Sequence, residues 1–198
     1  MDLSIITATY NRPASLFRTC LDVQRQIAAA RLRARPIAIE HVVVSDGPSD
    51  DNRAVCSQFP HVRYLELPEH AGKVGAVCKD AGIETALGEY VAFWDDDNAF
   101  TDHAAVEQFH TAAGRDIGIT QIVHRQLRWK AIPAHWTGEG RPRYGDVDTA
   151  CFCVRREIAQ TVRWQDQHAG DDDWHWISAL IASGATVRFT PIVIGWHL

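Results

Sequence analysis

The stretch Glu89-Tyr90-Val91-Ala92-Phe93-Trp94-Asp95-Asp96-Asp97 decides the fold. Residues 90–94 are an unbroken apolar, β-branched and aromatic run, the pattern of a strand buried on both faces. Such strands belong to mainly parallel sheets covered by helices. The run stops at three adjacent carboxylates. Like charges crowded at a strand end repel one another, and a cation relieves them. A hard divalent ion, Mg²⁺ or Mn²⁺, suits the place because it takes oxygen ligands and keeps positions open for water or phosphate oxygens. In open α/β sheets, ligands bind beyond the carboxyl ends of the strands. Taken alone, the triplet also suits a solvated acidic loop before a helix near residue 102.

Working outward, the chain alternates strand and helix. Strands are expected at 3–9, 39–45, 62–67 and 90–94. Helices are expected at 13–33, opened by Pro13, at a short segment ending near 59, at 72–87 and at 104–113. The rhythm predicts an α/β fold with a mainly parallel sheet flanked by helices. The second half reads differently, as a smaller mixed or antiparallel part. It has a strand pair or bent strand over 117–129, a loop over 133–144 and a strand at 150–154. A short helix at 156–161, a helix at 174–182 ended by Gly184, and two short strands at 187–189 and 192–194 complete it. No repeat or linker divides the chain, so 1–198 reads as one domain.

Length and composition bound the function. The chain has 198 residues, enough for one sizeable core. Its formal net charge of -5 argues against a broad nucleic-acid footprint. Arg31, Arg33 and Arg35 read as the solvated end of a helix. No apolar run approaches the ~20 residues of a membrane span, and the amino terminus lacks signal-peptide character. A cytoplasmic protein without a transmembrane segment is expected. The five cysteines, an odd number, do not form a disulfide framework. Cys151 and Cys153 alternate in an expected strand and should share one buried face.

Polar groups gather at the strand ends. Thr7, Tyr10 and Arg12 close the first strand, Asp46 closes the second, and Lys73 and Lys79 lie on the small-residue helix. With the aspartate triplet they supply a ring for stacking, a carboxylate for a base or ribose, cations for a diphosphate, and a metal site.

Three blocks together resemble a known family: SIITATYNRP (4–13), VVVSDGPSD (42–50) and GEYVAFWDDD (88–97). They are similar, in order and spacing, to the signature blocks of GT-A fold glycosyltransferases, above all the large inverting family 2 of nucleotide-sugar transferases. The resemblance covers about 3–100 well and 145–197 more loosely. It implies a Rossmann-like GT-A domain, with 1–100 binding a nucleotide sugar and 101–198 forming the acceptor and catalytic half. Thr7, Tyr10 and Arg12 would line the nucleoside pocket, and Asp46 would bond the base, typically uracil. Lys79 would stand near the donor and Asp95 would face the ribose or sugar. Asp96 lies between, and Asp97 would bind Mn²⁺ or Mg²⁺. Two features depart from the family pattern. Ser45 replaces a frequent first acid, and Lys79-Asp80 replaces an Arg-Asn pair.

The second half contributes Gly170-Asp171-Asp172-Asp173-Trp174 at an expected helix start. Acids are favoured there by the helix dipole alone. In the resembling family an acid-Asp-Trp motif at this place supplies the general base, which maps onto Asp173, with Asp172 the alternative. Trp176 should be core. His197 is a candidate third metal ligand, as late histidines are in some GT-A enzymes. His124, His135, His168 and His175 show no ligand spacing. Residues 145–150 read equally as a turn or as the border of the acceptor site, and 129–144 as a segment able to close over it. The expected activity is metal-dependent transfer of a sugar, with inversion, from a nucleotide-diphosphate sugar, UDP-sugar favoured, to an unidentified acceptor hydroxyl. The rival readings are a sugar-nucleotide nucleotidyltransferase and a non-catalytic nucleotide-sugar-binding module.

Overall fold

The computed structural model describes residues 1–134, 142–166 and 172–197. Strands β1 (Leu3–Thr9), β2 (Ile39–Ser45), β3 (Val62–Glu66) and β4 (Tyr90–Phe93) form where the apolar runs are. They pair in parallel in the order β3-β2-β1-β4. Their side chains alternate between two cores. Leu3, Ile5, Tyr90, Ala92 and Trp94 pack under helices α1 (Pro13–Arg31) and α4 (Ala104–Ala112). Ile6, Val42, Val44, Val91 and Phe93 pack on the other face under α3 (Ala76–Thr85) and α6 (Asp172–Ala182). A sheet covered on both faces needs strands apolar at every position, and that is what residues 90–94 are. Helix α2 (Asp50–Cys56) starts where Ser49 accepts from Asn52 N, a side-chain cap. The helix expected at 72–87 begins instead with a 3-10 turn, Lys73–Gly75, because Gly72 and Gly75 bring positive φ into its first residues.

The sheet continues through β8 (Phe152–Arg155), β6 (Ile117–His124), β9 (Val187–His197) and β5 (Asn98–Phe100), with β7 (Lys130–Ile132) on β6. β8 is antiparallel to both β4 and β6, so β6 runs in the same direction as β4. β9 is parallel to β6. The carboxyl ends of β1, β2, β4, β6 and β9 therefore face one way, and the residues preceding β8 arrive at that same edge. This arrangement builds the site.

Three local expectations change. The two short strands over 187–194 are one strand, irregular against β6 between Ile119 and Ile122. Pro191 lies inside it and can donate no ladder bond, which is where the register shifts. The bent strand over 117–129 ends at His124, and a turn through Arg128 and Trp129, both at positive φ, leads into β7. Cys151 and Cys153 are both buried, but on opposite sides of the sheet. Thr149–Cys151 is a 3-10 turn, so strand alternation begins only at Phe152. Trp176 is fully buried and donates to Val162 O at 2.8 Å, as its core reading requires.

Thr7 joins a buried network rather than a surface. Its hydroxyl donates to Trp94 O at 2.8 Å and lies 3.0 Å from His41 Nε2. The hydroxyl has one proton, so His41 must donate to it and carries its own proton on Nε2. Burial, with a smaller push from His61, holds the His41 pKa down at about 3 against 6.5 for the free side chain. Between those values the unfolded chain binds a proton and the folded chain does not. Stability is therefore complete above about pH 6.5 and falls as pH drops. The expected loss approaches ~1.4 kcal/mol per pH unit from this one residue. Denaturant unfolding between pH 7.5 and 5 should show the slope, and His41→Gln, which keeps a donor there, should flatten it.

Candidate active site

A cleft of about 390 Å³ opens at the shared strand edge. It is lined by Thr9, Tyr10 and Arg12 from the end of β1, Asp46 after β2, and Lys79 on α3. Asp95, Asp96 and Asp97 after β4, Asp173 in the first turn of α6, and His197 at the end of β9 also line it. Nine of the ten singled-out residues thus meet in one place. The tenth, Thr7, lies behind the wall, fully buried. Thr9 occupies the lining position instead. Thr7 and Thr9 share a strand face, so alternation does not separate them. Their depth from the strand end does.

The three aspartates differ in what holds them. Asp96 is only 5% exposed, accepts from Thr9 Oγ1 at 2.7 Å and pairs with Arg12 at 3.1 Å. Burial raises its pKa, and Thr9 and Arg12 pull the other way. These bonds tie the loop after β4 to the end of β1. Asp97 reaches Arg12 at 3.2 Å through one oxygen, while its other oxygen, Oδ1, is buried without a hydrogen-bond partner among the described residues. Behind the triplet, Trp94 Nε1 donates to Gln108 at 2.8 Å, and Gln108 donates to Ala150 O at 2.7 Å. This ties the triplet strand to the segment before β8.

On the opposite wall, Asp46 accepts from Ala71 N at 2.7 Å and Gly72 N at 3.1 Å, and pairs with His70 at 3.0 Å. His70 stacks on Tyr10 with ring centres 4.0 Å apart, and Tyr10 keeps 46% of its surface exposed. His70 was not evident in sequence, since nothing in its local pattern points across to strand one. Gly47 permits the contact: it adopts a φ of 96°, and a Cβ there would sit 3.0 Å from His70 N. Of the two helix cations, only Lys79 lines the cleft. Its Nζ lies 4.8 Å from the Trp164 ring centre and 3.4 Å from Thr149 Oγ1. Lys73 turns away and donates to Gln165 O at 3.3 Å. Asp80, the partner in the Lys-Asp departure, accepts from Trp164 N and Gln165 N and so anchors the turn beneath Lys79.

Helix α6 frames another side of the cleft through Asp173. Asp173 accepts from Trp174 N at 2.6 Å. The Trp174 indole donates to Pro142 O at 3.1 Å and meets Tyr144 edge to face. Gly170, Asp171, His168 and His135 lie outside the described residues, as does the 135–141 part of the segment expected to close over the site, and the Asp172 side chain is likewise not described.

His197 brings a feature the sequence did not disclose. It is the register partner of His124, and Asp148 stands beside both. Burial first, then the Asp95 charge, pushes the Asp148 pKa up to about 6. Burial first, then the neighbouring His197, lowers that of His124, while Asp97 pulls the other way. Asp97 Oδ1 and His197 Nδ1 are 4.0 Å apart, and both are buried without hydrogen-bond partners among the described residues. A carboxylate oxygen and an imidazole nitrogen turned toward a common space fit a divalent cation.

Comparisons with known proteins agree on one family. The family model described as "Glycosyl transferase family 2" matches residues 4–168. An Escherichia coli protein described as "Uncharacterized glycosyltransferase YibD" is 34% identical over 101 residues, which is 48% of this chain and 26% of that protein. The chain thus spans only about a quarter of that relative. Among solved structures, S. aureus TarS 1-349 superposes with a TM-score of 0.74 at 14% identity, covering 99% of this chain and 60% of that one. The same protein has been solved in complex with UDP-GlcNAc. The mannosyltransferase PcManGT from Pyrobaculum calidifontis, in complex with GDP-Man and Mn²⁺, has a TM-score of 0.72 at 17% identity, covering 98% of this chain and 56% of that one. At such identities the likeness speaks for the fold. Among the described residues, no helix is long and apolar enough to cross a membrane.

Proposed function

Because the chain belongs to glycosyl transferase family 2, we propose that it moves a sugar from a nucleotide-diphosphate sugar, a UDP-sugar in preference, to an acceptor hydroxyl. The transfer uses a divalent cation and inverts the anomeric carbon. The observation that carries this reading is the single cleft that draws Tyr10, Asp46, Lys79, the triplet, His197 and Asp173 from both halves of the chain. The donor lies against residues 1–100 and the acceptor against 101–198.

Each group has a task suited to its chemistry. The exposed Tyr10 ring is a stacking surface for the base. Asp46 already holds Ala71 N and Gly72 N, yet a carboxylate offers about four acceptor sites, leaving capacity for a base N–H. Lys79 lies toward the diphosphate and Asp95 toward the ribose or sugar. Asp97 and His197 would hold Mn²⁺ or Mg²⁺, which supplies neutralisation of the charge that builds on the departing diphosphate. Asp173, on the acceptor side, takes the hydroxyl proton as the new bond forms. Attack from the face opposite the diphosphate is a single displacement, hence inversion. The nucleotide sugars held by TarS and PcManGT, and the Mn²⁺ in the latter, support the donor class and the ion.

The test is titration of UDP and GDP, each with and without Mn²⁺, followed by product analysis with a panel of donors. Metal-dependent binding of UDP and release of nucleoside diphosphate are expected, with the product anomer inverted by NMR. Pyrophosphate as product would point to a nucleotidyltransferase instead. Binding without turnover across the panel would favour a binding module. Tyr10→Ala should weaken UDP by at least about fivefold, because stacking a base on an aromatic ring contributes roughly 1–3 kcal/mol. Unchanged affinity would place the base elsewhere.

A further inference from the structure

Three side chains meet beside the triplet without bonding to one another. His124 Nε2 lies 3.8 Å from Asp148 Oδ2, and His197 Nδ1 lies 3.7 Å from the same oxygen. The two imidazoles stack with centres 4.3 Å apart and planes within 9°. One ligand atom from each of the three lies within 4.8 Å of the others. These gaps are too long for hydrogen bonds. Yet the side chains are mostly buried, at 15%, 12% and 19% exposure for His124, Asp148 and His197. His197 Nδ1, the nitrogen that faces Asp148, has no hydrogen-bond partner among the described residues. Buried polar atoms without partners are uncommon and call for a cause.

The backbone holds this cluster in place. His124 and His197 are opposite one another on adjacent parallel strands, which puts both rings on one side of the sheet. The Asp148 carboxylate is fixed through Oδ1, which accepts from Ala150 N at 2.8 Å, and this leaves Oδ2 turned to the imidazoles. Ligand atoms about 2.0–2.2 Å from one ion stand roughly 3 to 3.5 Å apart. The observed spacing is that of a slightly open ion cage.

We infer that His124 and Asp148 are cation ligands, joining Asp97 and His197. The site then holds two imidazole nitrogens and two carboxylates instead of the carboxylates and single late histidine expected from sequence. This rests on the donor-site reading above, since Asp97 and His197 belong to both. The consequence is ion choice. Imidazole nitrogen suits first-row transition ions, whereas Mg²⁺ favours oxygen ligands and retains its water. The chain should prefer Mn²⁺ to Mg²⁺.

The experiment titrates the protein with Mn²⁺ alone and with Mg²⁺ as competitor, reading bound Mn²⁺ by electron paramagnetic resonance and its ligand nitrogens by pulsed methods. Wild type should show coupling to two imidazole nitrogens. His124→Gln should lose one of them. His124→Gln and Asp148→Asn should each weaken Mn²⁺ at least about tenfold, the lower end of what removing even a supporting group around a metal does. Mg²⁺ affinity should change less, so the preference between ions narrows. Asp148→Asn keeps an acceptor for Ala150 N, so it serves if His124→Gln fails to fold, as thermal unfolding will show. Mn²⁺ that shows no more than one nitrogen, or that binds both variants as tightly as wild type while Asp97→Asn abolishes binding, overturns this inference and leaves the donor site standing. Wild type that binds no Mn²⁺, or binds it regardless of Asp97, overturns both.

Discussion

Asp173→Asn should lower kcat by about a hundredfold to ten-thousandfold while UDP affinity stays within about twofold. That range is what a positioned general base contributes. The substitution preserves shape, and the amide oxygen can still accept from Trp174 N, the bond that Asp173 makes at 2.6 Å. The start of α6 should therefore survive, and the loss should belong to chemistry. Asp173 lines the same cleft as Tyr10 and Asp46 but comes from α6, in the second half of the chain. Donor binding and proton removal should therefore separate by mutation. Steady-state kinetics with UDP titration on the same preparation make the check. A kcat within a few-fold of wild type would remove Asp173 from the role, and the larger loss in a parallel Asp172→Asn variant would transfer it there.

Asp97→Asn should abolish the Mn²⁺ dependence of UDP binding and lower kcat/KM by roughly a thousandfold. Charge stabilisation by a bound cation is worth several kcal/mol in the transition state, and each ~1.4 kcal/mol is a factor of ten in rate. The fold should barely notice. The Arg12–Asp97 pair is 55% and 38% exposed, and such pairs contribute only ~0–1 kcal/mol. A thermal midpoint close to wild type, with metal dependence gone, is the expected combination. If Mn²⁺ promotes UDP binding equally in both proteins, the triplet is not the cation site.

Much of this protein was legible in its residues because the signals were local. The runs at 3–9, 39–45 and 90–94 read as strands because they are short, rich in β-branched and aromatic residues and bounded by turn residues, as strands covered on both faces are. The end of the fourth strand fixed Asp95, Asp96 and Asp97 at a carboxyl edge, where α/β sheets keep their ligands. The short strand Asn98–Phe100 was not seen, because three residues carry too little periodicity to read. The division of labour within the triplet was not legible either. Adjacent identical residues share one sequence signal, and only the approach of Thr9 and Arg12 turned Asp96 inward and left Asp97 Oδ1 without a partner.

Sequence by itself determined the parallel half of the sheet, the acidic edge and the amino end of α6 with its aspartate, since each depends on neighbours a few residues away. Tertiary structure alone decided that Thr9 rather than Thr7 faces the cleft, that His70 stacks on Tyr10, and that His124, Asp148 and His197 share one space. The last of these meetings follows from the antiparallel insertion of β8, which returns β6 to the direction of β4, and from the register of β6 on β9. Strand pairing is a contact between distant segments, selected by the packing of whole faces, and no local periodicity records it.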